Sequence, residues 1–278
     1  MSRLLVVSAD HLSTSIEDWL WVRRVDAANG WVEGARGVRG SWVIDPDPNP
    51  HWLAEALVVG IDVALRPVGL RPALVAFDGD GTLLEGETID ELGREAGCGD
   101  RIATVTARAM AGEIDFAEAL RERVQLLRGL PDAALNRVAS GLRLQRGAEE
   151  MVVALRAAGL RLAIFSGGFH FLLDPLAARW GFDRVVANRL GRTGAGLTGE
   201  LEGQIIDAAA KAKALRDLAR ECGVDPGQTV AVGDGANDLP LLRASGFAVG
   251  IAPKPVLLPV LDAVIASRDL RALVDFLA

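Results

Sequence analysis

The sequence predicts an α/β protein: a doubly wound parallel sheet with an all-helical insertion after its first strand, preceded by a small α+β module. Three observations carry this. Beyond residue 73, short uninterrupted apolar runs alternate with helical stretches, the pattern of strands buried on both faces of a parallel sheet. Residues 87–150 break the alternation with amphipathic helices and no strand pattern. The first 70 residues hold five of the six tryptophans (Trp19, Trp21, Trp31, Trp42 and Trp52) and follow another element order.

The elements follow in order. Leu4–Ser8 reads as a strand and Ser15–Val25 as a helix. Trp31–Val32 and Ser41–Ile44 read as paired strands around a Gly-containing turn, and Ala54–Leu65 as a second helix. The order β-α-β-β-α is that of a small α+β module. Asp45–Pro50, with three prolines, is a loop, and Arg66–Pro72 a linker. No final strand is evident before that linker, and no Gly-containing ligand turn follows the first strand. The sequence thus divides into an accessory module at 1–70 and a larger sheet domain at 71–278. In the latter, Leu74–Phe77 opens the sheet. Ile89–Ala96, Ile102–Met110, Phe116–Arg128 and Ala133–Ala139 read as helices of a cap spanning about 87–150. Further buried strands are expected at Arg161–Ser166, Arg184–Asn188, Thr229–Asp234, Phe247–Ile251 and Ala263–Ala266, with a Gly-rich hairpin or loop at Leu190–Leu201.

Composition narrows the function. A chain of 278 residues has ample length for a core. No apolar run reaches a membrane span, and the start turns polar too soon for a signal peptide. Cys98 and Cys222 make no disulfide framework, so a cytoplasmic protein with reduced cysteines is the expectation. The formal net charge of −7, without a Lys/Arg cluster, argues against nucleic acid. Lysine occurs only at Lys211, Lys213 and Lys254 among 30 basic residues. Each is a point charge in a chain that otherwise uses arginine, and so worth testing against a phosphate site. His11 and His51 are lone histidines and read as surface or packing residues.

Four places in the sheet domain carry polar groups suited to one task. Asp78-Gly79-Asp80-Gly81-Thr82 follows a buried strand, where open α/β sheets bind ligands. Two acids in one tight turn repel unless a cation or a shared proton relieves them. A calcium loop fails, because Thr82 and Ile89 stand where acidic or amide ligands are needed. Ser166-Gly167-Gly168 offers a hydroxyl and backbone N–H groups at the start of a helix. Lys211 lies on the helix expected at Asp207–Arg220. Gly233-Asp234-Gly235-Ala236-Asn237-Asp238 again places acids after an apolar run. Each alone would pass for a turn or a helix charge. Together they supply carboxylates for a hard cation, a hydroxyl, an ammonium and amide donors, the inventory of phosphoryl transfer.

On these motifs, residues 73–278 resemble the haloacid dehalogenase-like phosphatases. The first family motif, DxDx[TV], is matched at Asp78–Thr82, the second at Ser166, the third at Lys211 and the fourth, GDxxND, at Gly233–Asp238. Longer stretches resemble the phosphoserine phosphatases within that family: Glu87–Asp90, Ala109–Phe116, Leu120–Val124, Ser166–Phe169 and Val230–Pro240. One departure is Gly81, where the subfamily commonly has serine and the wider family glycine.

The resemblance implies the HAD-like Rossmannoid core with its cap, and Mg²⁺-dependent hydrolysis of O-phospho-L-serine to L-serine and phosphate, the last step of L-serine biosynthesis. It implies Asp78 as the nucleophile that forms an aspartyl-phosphate, and Asp80 as general acid and base. Mg²⁺ would be held by Asp78, Asp80 through its carbonyl, and Asp234. Ser166, Gly167 and Lys211 would hold phosphate, and Asn237 and Asp238 would orient phosphate and lysine. Glu87 would meet the substrate ammonium and Arg123 its carboxylate, with Met110 and Phe116 as an apolar wall and Gly168 nearby. Another small phosphomonoester, a phosphotransfer reaction, or a non-catalytic amino-acid sensor are the alternatives. The amino-terminal module is where an ACT-like ligand site or a homodimer contact could lie.

Overall fold

The structure is a computed structural model and describes residues 3–23, 25, 31–44 and 51–278. The expected Asp45–Pro50 loop lies outside the described residues. The chain begins with β1 (Arg3–Ala9), α1 (Thr14–Val22), β2 (Trp31–Glu33), β3 (Val38–Ile44), α2 (Trp52–Val59) and β4 (Asp62–Pro67). β5 (Leu74–Phe77) leads into four helices, α3 (Thr88–Glu95), α4 (Gly99–Met110), α5 (Phe116–Gln125) and α6 (Asp132–Gly141). Then come α7 (Ala148–Ala157), β6 (Arg161–Phe169), α8 (His170–Trp180), β7 (Arg184–Thr193), β8 (Gly196–Glu202) and α9 (Ala208–Cys222). The chain closes with β9 (Thr229–Gly233), α10 (Leu239–Ala244), β10 (Phe247–Ile251), β11 (Ala263–Ile265) and α11 (Arg271–Leu277).

All strands share one sheet in the order β2-β3-β1-β4-β11-β10-β9-β5-β6-β7-β8. The six strands from β11 to β7 are parallel, and β8 returns antiparallel to β7. At the other end β4 pairs antiparallel with β11, Ala263 opposite Ala64. The amino-terminal strands therefore extend the catalytic sheet. The helix expected at Ala54–Leu65 stops at Val59, because Gly60 caps it in the left-handed conformation (φ 75°). Asp62–Pro67 then forms the final strand that sequence reading did not find, and only residues 68–73 connect it to β5.

Side-chain alternation along the strands builds a core on each face. Val75 and Phe77 pack with Val230 and Val232 beneath α7, α8 and α11. Leu74 and Ala76 pack with Ala231 on the opposite face, which α1, α2, α9 and α10 cover. All four β5 residues are fully buried, so the strand that leads into the acids cannot shift without opening a cavity. Phe77→Ala would cost about 3–5 kcal/mol by that route. Helices α3–α6 hold a third core of their own around Leu92, Ile102, Leu120 and Leu135, which Leu190 and Leu197 of the β7–β8 hairpin complete. Although the cap was expected to reach residue 150, α7 packs into the sheet core through Met151, Val152 and Leu155.

Candidate active site

Strand β5 ends in register with β9: the Asp78 N–H still donates to Val232 O at 3.0 Å. Its carboxylate turns down to a buried lysine. Lys211 Nζ lies 2.9 Å from Asp78 Oδ1 and 2.9 Å from Asp238 Oδ1. The Gly79 N–H also donates to Asp78 Oδ1 at 2.7 Å, whereas Oδ2 has only a 3.3 Å contact from Asn237 Nδ2. Burial alone would lower the Lys211 ammonium, but Asp78 and Asp238 outweigh it and hold the lysine charged, above its ordinary range. Burial and then Asp238 push the Asp78 carboxyl upward, against the pull of Lys211.

Asp80 sits two residues on, under the cap. The Thr88 hydroxyl, on the first residue of α3, donates to its Oδ1. Burial pushes Asp80 up to about 6, with Asp234 adding to the rise while Thr88 and Lys211 oppose it. The turn closes tightly enough to require glycine. A Cβ on Gly79 would stand 2.7 Å from Ser166 Oγ, and one on Gly168 2.9 Å from Asp80 Oδ2. Gly81 has φ 72°, and a Cβ there would lie 2.7 Å from Asp234 Oδ1. That is a local reason for glycine where the subfamily commonly has serine.

Ser166 and its two glycines, expected at the start of a helix, lie within the strand that precedes it. They extend β6 as a bulge: Phe165 pairs with Val186 and Phe169 with Asn188, so the residues between swing out of the ladder. Ser166 is buried and its Oγ accepts from the Gly168 N–H at 2.9 Å. Asp238 has both oxygens engaged, Oδ1 by Lys211 and Oδ2 by the N–H groups of Asp234 and Gly235, each at 3.1 Å. Asp234 has much less, a 3.4 Å contact from the Thr82 hydroxyl. Burial, then Asp238, raise its pKa.

Ligand atoms of Asp78, Asp234 and Asp238 lie within 4.8 Å of one another. Four carboxylates, counting Asp80, converge here on one buried ammonium. The under-used Asp234 beside Asp78 suits an added cation with a taste for oxygen. Asp238 suits it poorly, because its oxygens are already spent on the loop and on Lys211.

Above this floor lies a cavity of about 330 Å³. It is lined by Asp78, Asp80, Ser166, Gly167, Gly168, Asp234 and Asn237 from the sheet side, and by Glu87, Met110, Phe116 and Arg123 from the cap. The structure thus brings every sequence-expected site residue to one place, with Lys211 and Asp238 buried beneath. Glu87 and Arg123 face the same space without closing an ion pair. Loss of solvent raises the Glu87 carboxyl to about 7, Asp80, Asp234 and Asp90 adding to the rise and Arg123 opposing it. Met110, the last residue of α4, is 74% exposed, while Phe116 reaches over Gly167. A larger cleft of about 680 Å³ opens between α5 and β8, but its wall holds no pair of acids beside a hydroxyl and a buried lysine.

Sequence reading assigned no role to several groups at this site. Thr82, the last residue of the first motif, and Thr88, the first of α3, each donate a hydroxyl to a site carboxylate. Lys254 lines the cavity rim beside Gly235, its N–H donating to Asp234 O at 2.9 Å. The scarcity of lysine was a signal for it, since two of three lysines meet here.

Fold and site together define a haloacid dehalogenase-like hydrolase, and the family of that description matches residues 75–243. A phosphoserine phosphatase of Archaeoglobus fulgidus is 42% identical over 226 residues, covering 80% of this chain and 66% of its own length. One of Halobacterium salinarum is 45% identical over 198 residues, 70% of this chain and 93% of its own. The chain therefore spans just under two thirds of the first relative and nearly all of the second. A solved phospho-aspartyl intermediate analogue of a phosphoserine phosphatase superposes with TM-score 0.70 at 36% identity, covering 75% of this chain and all of that one. A probable phosphoserine phosphatase from Vibrio cholerae, unliganded, superposes with TM-score 0.85 at 31% identity, covering 99% and 86% of the two chains. The chain belongs to this hydrolase family and, within it, to the phosphoserine phosphatases.

Proposed function

We propose that the site hydrolyses O-phospho-L-serine to L-serine and phosphate through an aspartyl-phosphate. The observation that carries this reading is the convergence of Asp78, Asp80, Ser166 and Lys211 under a cap that presents one acid and one guanidinium to the same cavity. Asp78 attacks phosphorus; its O–P bond forms as the P–O bond to serine breaks. Asp80, protonated over part of the neutral range, gives its proton to the departing serine oxygen. It then takes a proton from the water that attacks the aspartyl-phosphate, which frees phosphate and restores the Asp78 carboxylate. Lys211, the Ser166 hydroxyl and the amides of Gly167 and Gly168 receive the phosphate oxygens. Asn237 lies beside Asp78 to orient them, and Asp238 keeps Lys211 in place.

Asp78 and Asp234, with the Asp80 carbonyl, are the proposed holders of Mg²⁺. When bound, the ion would neutralise carboxylate and phosphate charge. Glu87 takes the substrate ammonium and Arg123 its carboxylate, in a fork that suits two oxygens. Met110 and Phe116 keep water from the reacting atoms when the cap closes. Purified protein should release phosphate from phosphoserine in the presence of Mg²⁺, and Asp78→Asn should lower kcat by at least ~10³-fold. An Asp78→Asn protein with full activity would remove Asp78 from the mechanism.

Residues 1–70 are proposed as an accessory module and a homodimer contact, on the ground that β2 is a short edge strand with Val32 and Val43 exposed beside it. Deleting the module would strip β4 from β11, so Val43→Asp, read by solution mass, is the cleaner test. A dimer unaffected by it would place the contact elsewhere. Among the described residues no helix is long and apolar enough to cross a membrane.

A further inference from the structure

Asn188 is buried at 1% exposure where the β6–β7 ladder is interrupted. Its side chain satisfies groups on two separate segments. Nδ2 donates to Gly167 O at 2.8 Å and to Ile206 O at 3.4 Å, and Oδ1 accepts from the Ile206 N–H at 2.9 Å. Backbone carbonyls only accept and a backbone N–H only donates, so this partner set also fixes which way the amide faces.

Both segments end at the phosphate site. In a trans peptide the C=O of Gly167 and the N–H of Gly168 point opposite ways. Anchoring Gly167 O on Asn188 therefore aims the Gly168 N–H inward, where it meets Ser166 Oγ at 2.9 Å. On the other side, Ile206 precedes Asp207, the N-cap of α9, whose carboxylate accepts from the Ala210 N–H at 2.8 Å. The Lys211 N–H closes the first turn on Asp207 O at 3.0 Å, so fixing Ile206 fixes the root of the lysine.

We propose that Asn188 is a positioning residue for phosphate: one amide sets the distance between the Ser166–Gly168 donors and the Lys211 helix. It touches no substrate and acts through the Gly167–Gly168 peptide and the start of α9. An aspartate in its place keeps the size but turns an oxygen on both carbonyls, and an alanine leaves three backbone groups unpaired. The proposal rests on the phosphatase reading of the same site.

The test compares Asn188→Asp and Asn188→Ala with Ser245→Ala, which loses hydroxyl bonds to Leu242 O and Phe247 O away from the cavity. Each is assayed well below its Tm, with inorganic phosphate as inhibitor. Both Asn188 variants should raise the phosphate inhibition constant and the phosphoserine KM by about 10-fold or more, the scale of a sub-ångström misplacement. Ser245→Ala, matched for lost Tm, should keep both constants within about 2-fold. Asn188 variants that lose Tm but keep wild-type constants would reduce Asn188 to a packing residue and overturn the proposal.

If neither variant folds, the wild-type chain decides by NMR. Added phosphate should shift the Asn188 side-chain amide along the same saturation curve as the Gly168 backbone amide. A Gly168 amide that moves alone overturns the proposal. A wild-type protein that neither hydrolyses phosphoserine nor responds to phosphate fails earlier, at the function itself.

Discussion

Lys211 Nζ lies 2.9 Å from Asp78 Oδ1, and both groups are almost wholly buried. Neither would be tolerated there alone. The lysine shares the cost of burying the carboxylate and stands ready for phosphate when the substrate arrives. Lys211→Met should therefore damage stability and catalysis together. Breaking a buried pair costs about 3–5 kcal/mol, and loss of a charged phosphate partner should lower kcat/KM by at least ~10²-fold. A melting curve and a phosphate-release assay on one preparation check both, and a folded Lys211→Met with wild-type turnover would contradict this role.

Gly81 is expected to matter through Asp234. Its φ of 72° disfavours a side chain, and a Cβ would press on the Asp234 carboxylate. Gly81→Ala should cost roughly 1 kcal/mol from backbone strain. It should also raise the Mg²⁺ concentration that gives half-maximal activity. An unchanged metal requirement would show that Asp234 gives way without losing the ion.

The Glu87 carboxyl titrates at about 7, raised by burial and neighbouring acids. Below that pH it is largely neutral and a poorer partner for an ammonium; above it, ionised. The kcat/KM ratio of phosphoserine to p-nitrophenyl phosphate should climb as pH rises through about 7 and then level. Glu87→Gln should flatten that climb. Arg123→Ala should depress phosphoserine far more than p-nitrophenyl phosphate, because only the former offers a carboxylate. Equal losses on both substrates would take Arg123 out of substrate choice.

Asp62 lies away from the site and sets a pH dependence of stability. It is buried on β4, paired with Arg36 and bonded by Ser267, yet burial dominates and raises it to about 6. A raised acid stabilises the fold most below its unfolded pKa, and that contribution is lost as pH rises through the folded one. From about pH 4 to 6 the wild-type chain should lose stability relative to Asp62→Asn, by up to roughly 3 kcal/mol for a shift of this size. Denaturant unfolding of both proteins across that range gives the difference directly, and a flat difference would mean that Arg36 already compensates the burial.

The catalytic domain was legible because two of its strands carry short apolar runs followed at once by acids or glycines. Leu74–Phe77 and Thr229–Gly233 announce themselves in this way. The amino-terminal module was less so. Ile61–Leu65 continues the apolar run of α2, and only Gly60 marks the break, so β4 was read as helix. That β4 then joins β11 is a pairing across about 200 residues that no local pattern records. The same holds in the site. Motif residues could be named, but Thr88, Lys254 and Asn188 are single polar residues whose partners are set by the fold alone.

The central claim is that Asp78 becomes phosphorylated. Single-turnover reaction of phosphoserine, quenched in acid and followed by peptide mass analysis, tests it most directly. The account predicts one phosphoryl group on the peptide containing Asp78, labile to hydroxylamine, formed before serine and phosphate reach their final levels. Asp78→Asn should show none. Complete turnover with no phosphorylated peptide at any quench time, or a phosphoryl group on another residue, would contradict it.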